Sequence, residues 1–128
     1  MDKESYNAYS KEILGASISV HREMGPGLLE SVYQQCLVKE FFLRKITVAT
    51  MVTIPLQYKG YPLNKDYVID ILVESEIIVE LRAGEVLLPV HEAQIISYLK
   101  LADKRLGFLI NFNVPLLKDG FKRFVNNF

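Results

Sequence analysis

The sequence predicts an α/β domain, a mixed β-sheet flanked by helices, in the order helix, strand, strand, strand, helix, strand behind an additional N-terminal helix. Three observations carry it. Up to Lys45, apolar side chains recur at three- and four-residue steps, the stripe of amphipathic helices. From Thr47 the spacing changes to two and the residues become β-branched. The later strand segments are then so uniformly apolar that both sheet faces have to be covered, which makes an α/β sandwich.

The first helix runs from about Ser5 to Glu23, with Ile13, Ala16 and Val20 on its apolar side, and Gly25-Pro26-Gly27 stops it. Proline suits the first turn of a following helix. That second helix carries Leu29, Val32, Cys36, Leu37, Glu40 and Phe41 on one stripe and extends to about Lys45. Val48, Thr50, Val52, Ile54, Leu56 and Tyr58 share one parity and form a strand that ends at a Lys59-Gly60 turn signal. Asn64, Lys65 and Asp66 read as a polar connection. Tyr67 to Val73 and Ile77 to Arg82 then form a hairpin around Glu74-Ser75-Glu76. Beyond Pro89 a helix with Val90, Ala93, Ile96, Tyr98 and Leu99 ends near Asp103; a buried strand from Leu106 to Phe112 and a short edge strand from Phe121 to Val125 close the chain.

The chain has 128 residues, 50% hydrophobic and 23% charged, which suits one compact domain over residues 1–128. Its longest uncharged stretches, Ile46 to Tyr58 and Leu106 to Leu117, are too short to span a membrane. The N-terminus lacks the apolar run of a secretory signal and Cys36 has no partner for an internal disulfide, so a soluble protein of the reducing cytoplasm is expected. Lys plus Arg equal Asp plus Glu at 15 each, which excludes a global field drawing the chain onto polyanions. From Leu99 onward, however, six basic residues stand against two acids. That end is either a solvated surface or a phosphate-contacting edge.

Two acids stand where apolar residues belong: Asp70 within Tyr67 to Val73, and Glu80 within Ile77 to Leu81. A buried, unpaired carboxylate is unstable, so each needs a partner, exposure or a purpose. If residues 74–76 form a three-residue loop, Asp70 lies directly across from Glu80 and Arg82 shares their face. A two-residue turn would put the acids on opposite faces. Opposed carboxylates are close enough to share a divalent cation; the alternative is a cross-strand salt bridge to Arg82 on a half-exposed face.

An acid on one strand followed by Glu-x-basic on the next resembles the metal-dependent PD-(D/E)XK nuclease superfamily. Gly27-Leu28-Leu29-Glu30-Ser31-Val32-Tyr33 matches the signature of its GxxExxY family, and Val79-Glu80-Leu81 and Pro89 to Gln94 are similar to that family too. Gln94-Ile95-Ile96-Ser97-Tyr98 is similar to the Gln-x-x-x-Tyr helix motif of the RecB-like branch. The resemblance implies a nuclease-like core with Mg²⁺ or Mn²⁺ held by Asp70, Glu80 and Glu30, a nucleic-acid substrate, and Gln94 and Tyr98 beside the cleft, touching substrate or orienting a catalytic group. Two departures stand out: Arg82 replaces the pattern's lysine and Ile69 its proline. Arginine stays protonated and cannot serve as a base, though it stabilises charge on a phosphate.

His91-Glu92 lacks the second histidine of a zinc helix, since Ile95 stands there, and Gly25-Pro26-Gly27 lacks the lysine of a nucleotide loop. His21 reads as a helix C-terminal cap. Two functions remain: a hydrolase of phosphodiester bonds in nucleic acid using Asp70, Glu80, Arg82 and Glu30, or an inactive interaction module of the same fold, with a homodimer as its simplest form.

Overall fold

The computed structural model of the chain describes residues 1–84 and 86–128. Helix α1 (Lys3–Met24) starts at Asp2, whose side chain accepts the Ser5 N–H at 2.8 Å, and stops at Gly25, whose φ of 70° suits glycine. Helix α2 (Glu30–Leu43) follows the Gly-Pro-Gly turn. Strands β1 (Val48–Tyr58), β2 (Tyr61–Val73) and β3 (Ile77–Arg82) come next, then helix α3 (Pro89–Leu101), strand β4 (Leu106–Asn111), a single 3₁₀ turn (Leu117–Gly120) and strand β5 (Phe121–Val125). The five strands lie in chain order. Among the described residues only β3 and β4 pair in parallel, joined by the crossover through α3, which gives the mixed sheet and helix order expected from the sequence.

The sheet separates two apolar layers. On one side α1 and α2 bury Ile13, Ala16, Tyr33, Leu37 and Phe41 against Ile71, Val73, Val79, Leu81, Phe108 and Ile110. On the other, Ile95, Tyr98 and Leu99 of α3 pack on Ile54, Ile69, Ile78 and Leu109. Arg44, bonded to Glu12 and Ser19 at 3.1 Å each and to Glu40 at 2.7 Å, ties α1 to α2. Glu40 therefore serves an ion pair and leaves the apolar stripe to its neighbours.

Two expectations about the β1–β2 hairpin need correction. Asn64, Lys65 and Asp66 belong to β2, because Lys59 and Gly60 both have positive φ, 50° and 82°, and close a tight turn that pairs Tyr58 with Tyr61. The shared parity of Val48, Val52 and Ile54 also does not keep them on one face. Val48 packs against the α1/α2 core, and Val52 and Ile54 against the α3 core. In β2, Ile71 and Ile69 divide in the same way. The pairing register is unchanged across the break, yet the pair between Met51 and Asp70 is missing and Met51 has φ 51°. Both strands thus turn over at the level of Asp70, and a left-handed residue supplies the turn. Such local strain in a non-glycine residue gathers at functional sites.

Candidate active site

The loop from Glu74 to Glu76, with Glu74 and Ser75 at positive φ, has the three-residue length that sets Val73 against Ile77 and Ile71 against Val79. The same register brings Asp70 level with Glu80. There the backbone pairing between β2 and β3 gives way to side chains: the Leu81 N–H donates to Asp70 Oδ2 at 2.8 Å and the Asp70 N–H to Glu80 Oε1 at 3.3 Å. Each acid occupies the place of a backbone carbonyl on its neighbour.

Arg82, the next outward residue of β3, turns its guanidinium into the space so opened. Its Nη1 donates to the Leu81 carbonyl at 2.7 Å and lies 3.6 Å from Glu30, 3.9 Å from Asp70 and 3.9 Å from Glu80. No two of these three carboxylate oxygens are therefore farther apart than twice the longest of those distances. Glu30 comes from the first turn of α2, aimed by the turn before it. Gly27 holds φ 97°, and the Tyr33 hydroxyl donates to the Gly25 carbonyl at 2.5 Å while accepting the Leu28 N–H at 3.1 Å. Tyr33 itself is buried and stacked on Phe112 with centroids 4.5 Å apart. The Gly, Glu and Tyr of the Gly27 to Tyr33 run thus do different jobs, two fixing the helix start and one facing the acids.

From α3, Gln94 Oε1 accepts Arg82 Nη2 at 2.9 Å. Gln94 positions the arginine. Tyr98, one turn on, is 8% exposed and packs its ring at 4.6 Å on Tyr67, so it belongs to the α3 core and braces the base of the hairpin. One contributor escaped sequence reasoning. Gln34 sits one turn after Glu30, and its Nε2 donates to the Asp70 carbonyl at 3.2 Å and touches Met51 Sδ at 3.5 Å. It replaces the ladder partner lost where β1 turns over. The spacing of four from Glu30 was the available signal.

The electrostatics are unbalanced. Glu80 is 2% exposed, and burial, with the neighbouring Asp70 charge next, pushes its carboxyl up to about 9 against the pull of Arg82. Burial also raises Glu30, again opposed by Arg82, and raises Tyr98. Fully ionised, three acids face one guanidinium, which leaves two negative charges uncompensated. A divalent cation has the charge that closes this difference, and hard carboxylate oxygens are the donors that Mg²⁺ and Mn²⁺ prefer. Among the described residues no three His, Cys, Asp or Glu side chains already stand in a coordinating arrangement. Arg82 Nη1 holds the centre, and it has to leave for the acids to take an ion. In charge and donor type the residues fit the metal.

The remaining candidates make their hydrogen bonds outside the cluster, although His91 stands near enough to Glu30 to pull its carboxyl down. His21 Nε2 bonds the Val114 carbonyl at 2.7 Å, and His91 Nδ1 accepts the Leu88 N–H at 3.0 Å as a helix cap. In the basic C-terminal part, Lys122 pairs with Glu92 at 3.1 Å and Arg123 lies 4.8 Å over the Phe128 ring. Among the described residues, no helix is long and apolar enough to cross a membrane.

Searches of curated proteins and of solved structures return no match. A family model described as PD-(D/E)XK nuclease superfamily matches residues 7–124, which takes in all but the ends of α1 and β5 and every residue of the carboxylate cluster. With that match and a five-stranded mixed sheet carrying Asp70, Glu80 and Arg82 at its centre, the chain belongs to the PD-(D/E)XK nuclease superfamily.

Proposed function

We propose that the protein hydrolyses phosphodiester bonds of nucleic acid, with Asp70 and Glu80 holding Mg²⁺ or Mn²⁺ and Glu30 joining them directly or through water. The observation that carries the reading is the charge excess of the cluster: three carboxylates gather around one cationic group. When bound, the ion would supply a Lewis acid for the scissile phosphate and would lower the pKa of a water. To hold the ion, Glu80 would have to release its proton to solvent. Arg82, displaced from the acids and still tethered by Gln94, offsets negative charge growing on the phosphate oxygens; always protonated, it takes no proton. Gly27, Glu30 and Tyr33 support membership of the GxxExxY group, and the free Cys36 suits the cytoplasm. The test is calorimetric titration with Mn²⁺ together with cleavage of labelled DNA and RNA: binding at millimolar concentration or tighter and Mn²⁺-dependent cleavage are expected, and the absence of both refutes the reading.

A second reading rests on the position of Arg82. With Nη1 within 3.9 Å of all three acids, the guanidinium does what a metal does elsewhere, and the fold then serves as an interaction module, a homodimer in its simplest form. Arg82→Lys and Arg82→Ala separate the two. Cleavage kept or raised by lysine and lost with alanine supports hydrolysis. No cleavage by the parent or the lysine variant, with clear destabilisation of the alanine variant, supports the module.

A further inference from the structure

A cleft of about 630 Å³ lies between α2 and β1, lined by Ser31, Gln34, Lys39, Phe42, Thr50 and Met51 among others. We propose that it receives a single-stranded segment of nucleic acid, stacking an unpaired base on Phe42 while Lys39 meets a neighbouring phosphate. The inference rests on the hydrolytic reading of the acid cluster and names the form of its substrate.

Three observations lead there. The cleft adjoins the cluster: Gln34, which lines it, donates to the Asp70 backbone carbonyl, and Ser31, which also lines it, follows Glu30 in the chain. Its rim carries an aromatic ring that the fold does not use. Phe42 is 70% exposed at the end of a helix whose core side is filled by Tyr33, Leu37 and Phe41, and Lys39 Nζ stands 4.9 Å over that ring. With Lys39 over one face of the exposed ring, the other face is left to a base, and an aromatic platform next to a cation is how proteins grip single strands: bases stack on the ring and phosphates meet the charge. The cleft is also built by a distortion. Met51 adopts φ 51° at the point where β1 turns over, and it presents an exposed, adaptable side chain as the opposite wall. Ser31 and Thr50 hydroxyls and the Gln35 amide add polar contacts for sugar or base edges. A duplex keeps its bases stacked on one another and offers none to Phe42, so the unpaired form is selected.

The test is fluorescence anisotropy of a labelled oligothymidylate and a labelled oligouridylate with the full chain in Ca²⁺, beside a duplex of matched length. Expected are tighter binding of the single strands than of the duplex, a loss of about tenfold in affinity for Phe42→Ala, and a salt dependence shallower by about one counterion for Lys39→Ala. Phe42 is mostly exposed, so its truncation leaves the core intact. The oligouridylate arm tells RNA from DNA. Equal affinity of parent, Phe42→Ala and Lys39→Ala overturns the proposal, as does preference for the duplex, or loss of self-association in Phe42→Ala without change in nucleic-acid affinity. If the parent cleaves with Mn²⁺ and Phe42→Ala cleaves with unchanged KM, the cleft assignment falls and hydrolysis stands. If the variants lose affinity as expected and the parent never cleaves, hydrolysis falls and the cleft assignment stands.

Discussion

Glu80→Gln should stabilise the protein at neutral pH, and by an amount that depends on pH in a calculable way. The carboxyl is 2% exposed, and burial beside Asp70 lifts it from 4.5 to about 9. Between those limits the unfolded chain releases the Glu80 proton while the folded chain keeps it, so the folded state binds more protons and stability falls as pH rises. Below 4.5 both states are protonated, and above about 9 both are ionised, so the loss is confined to that window. Each pH unit within it disfavours folding by about 1.4 kcal/mol, which at pH 7 amounts to ~3 kcal/mol. Glutamine removes the ionisation and keeps the geometry. Its oxygen still accepts the Asp70 N–H, and its amide donates to the Asp70 carboxylate as the retained proton does. The variant should therefore melt ~10 °C above the parent near neutral pH and match it near pH 4.5. Thermal melts in EDTA at about pH 5 and about pH 8 make the comparison. An equal difference at both pH values, or a lower melting point for the variant at the higher one, would refute the argument that burial holds a proton on Glu80.

Further outcomes follow from the same geometry. Asp70→Asn keeps an oxygen for the Leu81 N–H and should leave stability within about 1 kcal/mol of the parent while calorimetry shows Mn²⁺ binding lost; Asp70→Ala orphans that N–H and should cost about 2 kcal/mol by urea titration. Tyr33→Phe removes the hydroxyl that bonds both Gly25 and Leu28 and should lower stability by about 2 kcal/mol in the same assay, weakening Mn²⁺ binding because Glu30 is aimed by that turn. Gly120→Ala places a methyl group against the Asn111 carbonyl, a backbone contact that cannot yield, and urea titration should show a loss of about 3 kcal/mol or no folded protein.

The sequence displayed the order of elements because it depends on local rules, and it displayed the acid pair on condition of a three-residue loop. Apolar spacing separates helices from strands, and a three-residue loop fixes which residues oppose each other. Arg82 was equally legible as a neighbour of the acids. What parity reasoning missed is the turnover at Met51 and Asp70, since a left-handed methionine in a β-branched segment has no sequence signature, and one flipped residue sends Val52 and Ile54 to the opposite core from Val48. The extent of β2 was hidden for a different reason. Asn64, Lys65 and Asp66 have the composition of a loop, and pairing through the Lys59-Gly60 turn overrides that preference. Of the two α3 residues singled out from the sequence, Gln94 accepts a hydrogen bond from Arg82 and Tyr98 packs its ring on Tyr67.

Asp70 and Glu80 each accept a backbone N–H across the β2–β3 seam, so they are rungs of the sheet as well as acids. This double duty decouples the history of the fold from the history of its chemistry. A lineage that ceased to bind metal would still need an oxygen at both places to keep its strands joined, and selection for folding alone would hold the two acids or their amides there. The signature of the superfamily can in this way outlast the reaction it is named for. Position 82, which forms no rung through its side chain, is where a change of occupation would be written, and an arginine standing there among three carboxylates marks that position as the one to read in any related chain.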